Sequence, residues 1–146
     1  MKTKAAFWDT SALLPLCCFQ QTTQAAHRVR RQLSQMIAWW GTSVEIRSGV
    51  SRLFSESSIS EKDRGVTIQR WHNLLDGLDV VEPTATLLEI AIDLPETYGV
   101  RALDAFQLAA ALVWCSERPR NRPFICADKR LGDAASDAGF DVILLA

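Results

Sequence analysis

The chain has 146 residues, 48% hydrophobic and 23% charged, a composition that fits one globular domain over 1–146 and excludes a disordered chain. The formal net charge of −1 excludes nucleic-acid binding by bulk charge, so any such binding needs a local patch or metal ions. No apolar run approaches the roughly 18 residues of a membrane span, and the first run is too short for a secretory signal, so we expect a cytoplasmic protein.

The first predicted element is a short buried strand around Phe7 and Trp8 that stops at Asp9. A short helix over 11–19 follows. If the strand is parallel to its neighbours, Asp9 lies at the edge of the sheet where α/β proteins bind ligands. The alternative is that Asp9 only caps the helix, since Asp favours that position.

The second strand is predicted over 36–40, after a helix over 20–35 with apolar residues at helical spacing. Thr42 or Ser43 can cap the next helix, which places Glu45 in its first turn. The spacing Thr42-x-x-Glu45 also fits a capping box, so a structural role for Glu45 stays open.

The middle of the chain alternates again, with a helix over 61–77 and a third strand over 78–82. Thr84 is predicted to cap the helix that follows, and Pro95 and Gly99 are predicted to limit it.

The last third begins with a nearly all-apolar, buried helix from Ala105, with Asp104 at its start as a candidate ligand or cap. A fourth strand over 123–127 ends at Asp128. A helix over 129–138 and a last strand over 140–145 complete the chain. This alternation predicts one α/β domain with a central parallel sheet flanked by helices.

Four acids can therefore converge, although they are far apart in sequence. Asp9 and Asp128 follow strands, while Glu45 and Asp104 start helices, and all four positions lie at one edge of such a sheet. Clustered carboxylates repel and require a cation at neutral pH. Oxygen ligands without histidine or cysteine favour Mg²⁺ or Mn²⁺, which suits phosphodiester cleavage.

At these positions the chain resembles a PIN domain, and within that family the VapC-type ribonuclease toxins. The likeness rests on four segments in the same order: FWDTSAL at 7–13, SVEI at 43–46, RALDAFQLA at 101–109 and ADKRL at 127–131. It implies a Rossmann-like fold and a Mg²⁺-dependent endoribonuclease of a type II toxin–antitoxin pair. The catalytic residues it implies are Asp9, Glu45, Asp104 and Asp128.

The resemblance also implies finer roles and partners. Asp9, Asp104 and Asp128 would hold the metal, and Thr10 or Ser11 would hold a water or phosphate. The expected partners are the RNA substrate, a cognate antitoxin and a second copy of the chain. The arginines predicted to contact RNA phosphates are Arg28, Arg30, Arg31, Arg118, Arg120 and Arg122. A groove for the antitoxin could be lined by exposed apolar residues such as Leu13, Leu14, Leu53, Phe54 or one of Trp39 and Trp40. The alternative is that these residues are all core, which we expect of most of them.

Three alternatives stay open. The first is a PIN-like nuclease that processes RNA outside a toxin pair, and the second is a silent PIN-like binding module. A phosphotransfer receiver domain fits less well, because a single acid, Asp9, follows the first strand and Leu144 and Leu145 end the last one. The chain also departs from the toxins at Cys126, where Thr or Ser is common. The four cysteines show no zinc spacing, which predicts buried thiols.

Overall fold

The structure, a computed structural model, describes residues 4–146, so the first three residues of the predicted domain lie outside it. These residues form five strands and seven helices in alternation. The strands are β1 Ala5–Trp8, β2 Gln35–Trp39, β3 Asp79–Val81, β4 Pro123–Cys126 and β5 Asp141–Leu144. The helices are α1 Thr10–Cys17, α2 Thr23–Gln32, α3 Thr42–Ser55, α4 Glu61–Leu75, α5 Ala85–Tyr98, α6 Ala102–Trp114 and α7 Lys129–Ala138.

All five strands are parallel and lie in the order β3-β2-β1-β4-β5. The first strand is therefore central, with Phe7 paired to Ile37 on one side and to Phe124 on the other. The chain builds outwards from β1 through β2 and β3, and then returns to the other side of β1. The point at which strand order reverses thus lies between β1 and β4, as the sequence predicts.

Residues of β1 alternate between two hydrophobic cores, one on each face of the sheet. Phe7 faces the core made with α5, α6 and α7, where its ring stacks on Phe124 at 5.3 Å between centroids. Trp8 faces the opposite core, made with α1, α2, α3 and α4. Burial on both faces explains why the strands are continuous apolar runs.

Several element boundaries differ from the predictions. Helix α6 begins at Ala102 and not at Ala105, because Arg101 takes the extended N-cap conformation and lets the first turn form earlier. Pro95 lies inside α5 and does not end it; the helix runs on to Tyr98 and stops at Gly99, which is left-handed. The predicted cap at Thr84 is confirmed, since its hydroxyl accepts the backbone N–H of Leu87 at 3.1 Å.

Within residues 4–146, no helix has the length and apolar character to cross a bilayer. The four cysteines are all buried and unpaired, which confirms the prediction of reduced thiols. Trp39 is 8% exposed and its ring stacks on Phe106 at 5.6 Å, whereas Trp40 is 56% exposed.

Candidate active site

A pocket of about 510 Å³ opens at the carboxyl edge of the sheet, next to the reversal point between β1 and β4. All four predicted acids line it, although 119 positions separate the first from the last. They are Asp9, Glu45, Asp104 and Asp128. The predicted positioning residues Thr10 and Ser11 line the same pocket.

Asp9 is held at the end of β1 by the neighbouring strand. Its backbone N–H donates to the carbonyl of Ile125 at 3.1 Å, and its side chain is only 4% exposed. Ser11 ties the two strand ends together, because its hydroxyl donates to Asp9 Oδ1 at 2.7 Å and accepts the N–H of Ala127 at 2.8 Å. The Asp9 side chain makes no capping hydrogen bond to α1, so a purely capping role does not explain it.

The surroundings of Asp9 disfavour its charged form. Burial raises the pKa of its carboxyl to about 7, the hydrogen bond from Ser11 opposes this, and the charges of Glu45 and Asp128 add to it. A cation bound beside Asp9 would oppose this shift by favouring the charged form.

Asp128 takes the equivalent position after β4, and it does cap a helix. Its Oδ1 accepts the backbone N–H groups of Arg130 at 2.9 Å and Leu131 at 3.4 Å, at the start of α7. The cap fixes the orientation of the carboxyl group while Asp128 still lines the pocket.

Glu45 reaches the pocket from the first turn of α3, but the predicted capping box is absent. Gly41 occupies the N-cap position, and no side chain caps the helix. The hydroxyl of Thr42 is fully buried and accepts a hydrogen bond from Gln107 Nε2 at 3.0 Å, so it is not available to cap α3. Burial raises the pKa of Glu45, opposed by hydrogen bonds from Gln107 and Thr10, and the charge of Asp104 raises it further.

Asp104 lies in the first turn of α6, on the opposite wall. Burial and then the charge of Asp128 raise its pKa, while Arg130 and Arg101 lower it. These two arginines line a smaller pocket of about 260 Å³ that also includes Asp104. The two pockets share Asp104, and the smaller one has charges of both signs, since Asp133 also lines it.

Gln107 is a site residue to which the sequence analysis assigns no role. Its Nε2 lies 3.0 Å from Thr10 Oγ1, Thr42 Oγ1 and Glu45 Oε2. The signal that could have found it is a long polar side chain in the middle of the buried, alanine-rich helix α6.

The donor set fits a hydrated Mg²⁺ or Mn²⁺ ion. Within residues 4–146, no three acidic, histidine or cysteine side chains converge closely enough to ligate one ion as they stand. Mg²⁺ keeps several of its waters, however, and requires only one or two direct carboxylate ligands. Burial is the main cause of the raised pKa values of Asp9, Glu45 and Asp104, and neighbouring acids add to it, so a cation in this pocket would favour their charged forms.

Comparison with protein families gives a match between residues 6–135 and the model of the PIN domain. The chain belongs to the PIN domain family. PIN domains are generally nucleases and typically use divalent metal ions. A comparison with curated proteins finds no match.

Solved structures share this PIN fold at low sequence identity. VapBC2 from Rickettsia felis, bound to a DNA fragment from its promoter, has a TM-score of 0.69 and 11% identity over 97% of this chain and 99% of that chain. FitAcB from Neisseria gonorrhoeae has a TM-score of 0.62 and 17% identity over 93% and 96%. A toxin–antitoxin complex from Klebsiella pneumoniae has a TM-score of 0.59 and 17% identity over 86% of this chain and 88% of that chain. At such identities these likenesses establish the fold.

Among residues 4–146, none of the six arginines predicted to contact RNA lines the acidic pocket. Because all strands are parallel, residues that precede a strand lie at the amino edge, opposite the pocket. Arg118, Arg120 and Arg122 precede β4, and the carbonyl of Arg122 accepts the N–H of Asp141 at the start of β5. Arg28, Arg30 and Arg31 lie on α2, which runs towards the start of β2. Arg52 on α3 lines the pocket instead.

The predicted apolar groove is mostly core. Three of its residues are at most 8% exposed, and these are Leu13, Leu14 and Trp39. Leu53 and Phe54 are half-buried, and the guanidinium of Arg64 lies over the Phe54 ring at 4.3 Å. The exposed apolar residues that line the acidic pocket are Val44 and Leu103, at 73% and 61%.

Proposed function

We propose that this PIN domain is a Mg²⁺-dependent endoribonuclease and the toxin of a type II toxin–antitoxin pair. The observation that carries the nuclease part is the convergence of four acids, from four separate segments, on one pocket at the reversal point of the sheet. The toxin part is supported by the match to the PIN domain and by the toxin–antitoxin complexes among the structures that share the fold.

The roles of the acids follow from their positions. We assign Asp9, Asp104 and Asp128 to hold the ion and its waters, with Asp9 and Asp128 as the main ligands. When bound, Mg²⁺ supplies Lewis-acid activation of the phosphate and lowers the pKa of a water. Glu45 lines the same pocket from α3, and we assign it to orient the attacking water and to accept its proton.

Thr10 and Ser11 are assigned to the support of this site. Both hydroxyls are engaged by protein groups, Thr10 with Gln107 and Ser11 with Asp9 and Ala127. Each O–H is donated within the protein, Ser11 to Asp9 and Thr10 to Thr42, so each hydroxyl can still accept a hydrogen bond from a water. Binding a phosphate oxygen would require the O–H to leave its present acceptor. RNA phosphates would be bound by the arginines nearest the acids, which are Arg52, Arg101 and Arg130.

Titration of Mn²⁺ by calorimetry tests the metal site. We expect the parent protein to bind Mn²⁺, and the variants Asp9→Asn and Asp128→Asn to bind it at least about tenfold more weakly. Asp93→Asn is the matched control, because Asp93 is an exposed carboxylate on α5 outside the pocket. Parent-like Mn²⁺ affinity in both pocket variants would contradict the assignment.

Cleavage of a labelled single-stranded RNA tests the reaction. We expect cleavage with Mg²⁺ or Mn²⁺, none in EDTA, and a loss of about 100-fold or more in Asp9→Asn, since each 1.36 kcal/mol of lost transition-state stabilisation slows the reaction tenfold. Undiminished cleavage in EDTA would exclude the metal mechanism. Absence of cleavage of any RNA by a protein that binds Mn²⁺ would favour the silent binding module.

Co-expression with the neighbouring reading frame tests the toxin assignment. We expect a complex in which a cation of the partner offsets the repulsion of the acids and blocks cleavage. Light scattering of the protein alone measures whether two copies associate, as we also propose. An active nuclease that neither binds the neighbour's product nor is inhibited by it would support the alternative, an RNA-processing PIN nuclease.

A further inference from the structure

Gln107 is a polar side chain in one of the most apolar parts of the molecule. It is 1% exposed, and the residues that follow it on α6, Leu108 and Ala109, are fully buried. An amide in such surroundings costs free energy unless its hydrogen-bonding groups are paired. Its partners therefore explain why it is there.

The Gln107 amide joins three segments that are distant in sequence. Its Nε2 is 3.0 Å from the Oγ1 atoms of Thr10 and Thr42 and from Oε2 of Glu45. The three acceptors come from α1 and α3, whereas Gln107 is on α6. A primary amide has two N–H groups, so the three acceptors share them, and the carboxylate is the strongest acceptor.

The other end of the amide is left without a partner. Gln107 Oε1 is buried and accepts no hydrogen bond from the described residues. Rotating the amide by 180° would pair this oxygen with the hydroxyls of Thr10 and Thr42, but it would also place it against the carboxylate of Glu45. The orientation observed leaves one acceptor unsatisfied and directs the N–H groups towards Glu45.

We propose that Gln107 is a positioning residue, which holds the carboxylate of Glu45 and the hydroxyl of Thr10 in place at the acidic pocket. This inference rests on the proposed function, in which Glu45 orients the attacking water. Glu45 has three side-chain torsions and is only half-buried, so without this contact its carboxylate would sample several orientations. Fixing Oε2 leaves Oε1 to face the water and the metal shell.

The principal variant is Gln107→Met, which keeps the length of the side chain and removes both N–H donors. We expect kcat for single-stranded RNA to fall about 10- to 100-fold, and KM to stay within about twofold. We expect Mn²⁺ affinity to fall about tenfold. Gln69→Met is the matched control: Gln69 is exposed on α4, and its amide also donates one hydrogen bond, to Asn73 at 3.1 Å. It should leave kcat and Mn²⁺ affinity unchanged.

A double-mutant cycle with Glu45→Ala separates positioning from general damage. If Gln107 acts through Glu45, Gln107→Met should add less than about twofold to the loss of kcat and of Mn²⁺ affinity in the Glu45→Ala background. A loss of the same size in both backgrounds would overturn the inference. Gln107→Leu is measured in parallel, so that a folding failure of the Met variant, detected by thermal unfolding, leaves the cycle intact.

The two hypotheses fail in different ways. A parent protein that binds Mn²⁺ but cleaves no RNA contradicts the proposed function, while the Mn²⁺ cycle still decides the role of Gln107. If the parent cleaves RNA and the losses caused by Gln107→Met and Glu45→Ala multiply independently, the role of Gln107 is contradicted. The proposed function then still stands. A protein that binds no Mn²⁺ at all contradicts both.

Discussion

The two edges of the sheet differ, although the same five strands build them: four acids line one pocket at the carboxyl edge, whereas the amino edge has aspartates at the starts of β3 and β5 as well as arginines. Asp9 and Asp128 follow strands at the carboxyl edge, where α1 and α7 begin. Arg30 and Arg31 lie in the last turn of α2, towards the amino edge. Helix dipoles favour this arrangement, since anions are stabilised at helix N-termini and cations at C-termini.

The dipoles account for the arginines of α2 and for Asp128, which caps α7, but not for Asp9. A carboxylate that merely complements a helix N-terminus should have a lowered pKa, because its charged form is stabilised there. The pKa of Asp9 is instead raised to about 7, mainly by burial. Asp9 is thus a buried carboxyl whose charged form the helix N-terminus does not compensate, and this distinguishes it from an ordinary capping residue.

The largest expected effect is on the pH dependence of stability, which should differ between Asp9 and a carboxylate that only caps a helix. In metal-free protein the Asp9 carboxyl has an unfolded pKa near 3.8 and a folded pKa of about 7. Between these values the unfolded chain ionises first, so the free energy of unfolding falls as pH rises, by up to about 4 kcal/mol from this group. Below pH 3.8 the contribution is complete, and above about 7 it is lost.

Thermal and urea unfolding of the parent and Asp9→Asn from pH 4 to pH 8 would measure this. The variant should gain stability relative to the parent as pH rises, and Mg²⁺ at pH 8 should stabilise the parent more than the variant. A pH-independent difference between the two proteins would mean that Asp9 is a structural polar group with an ordinary pKa.

Gly→Ala substitutions at two glycines, one at each edge of the sheet, test whether the two edges differ in their importance for activity. An alanine Cβ at Gly41, at the carboxyl edge, would lie 2.4 Å from Nε1 of Trp39, whose ring stacks on Phe106 beside the pocket. At Gly139, which precedes β5 at the amino edge, φ is +112° and a Cβ would lie 3.0 Å from Pro119 Cγ. We expect each Gly→Ala variant to lose about 1–3 kcal/mol of stability.

Only Gly41→Ala should also reduce RNA cleavage, measured at a temperature at which both variants are folded. Gly65→Ala is the control, since a Cβ there meets nothing within 4 Å and alanine favours the interior of α4, so stability should rise by about 0.5–1 kcal/mol. Equal losses of activity in Gly41→Ala and Gly139→Ala would indicate a global effect instead of a local one.

The smallest expected effect concerns RNA binding. Replacing Arg52, Arg101 and Arg130 together by alanine should weaken RNA binding and reduce the salt dependence of log(kcat/KM) by about two units, at roughly 0.7 per phosphate contact with a single strand. The matched triple replacement at the amino edge, Arg118, Arg120 and Arg122, should leave both unchanged. The reverse pattern in a sodium chloride series would place the RNA at the amino edge.

Much of the fold could be predicted because the three central strands are buried on both faces and read as short apolar runs. The alternation of these runs with helices gives the parallel sheet, and the sheet brings Asp9 and Asp128 to one edge. The same reasoning places Arg118, Arg120 and Arg122 at the opposite edge from the pocket, since they precede β4 or lie just before its start.

The remaining features depend on contacts that sequence spacing does not contain. The Thr42-x-x-Glu45 pattern fits a capping box, but the hydroxyl of Thr42 is engaged by Gln107, 65 residues away. A local pattern cannot report such competition for a hydrogen-bonding group. The prediction that Pro95 limits α5 was wrong for a similar reason. Pro95 is tolerated inside this helix, which also packs against α6.

The central position of β1 has a consequence for the order of synthesis. The strand that carries Asp9 is made first, but the hydrogen bond from Ala127 to Ser11 must wait for 116 further residues. At about 5–20 residues per second, translation takes roughly 6–23 s to cover that distance. Until β4 emerges and docks, one side of β1 has no partner and the pocket lacks its fourth acid. The proposed site of a nascent chain is therefore incomplete until translation has passed Asp128.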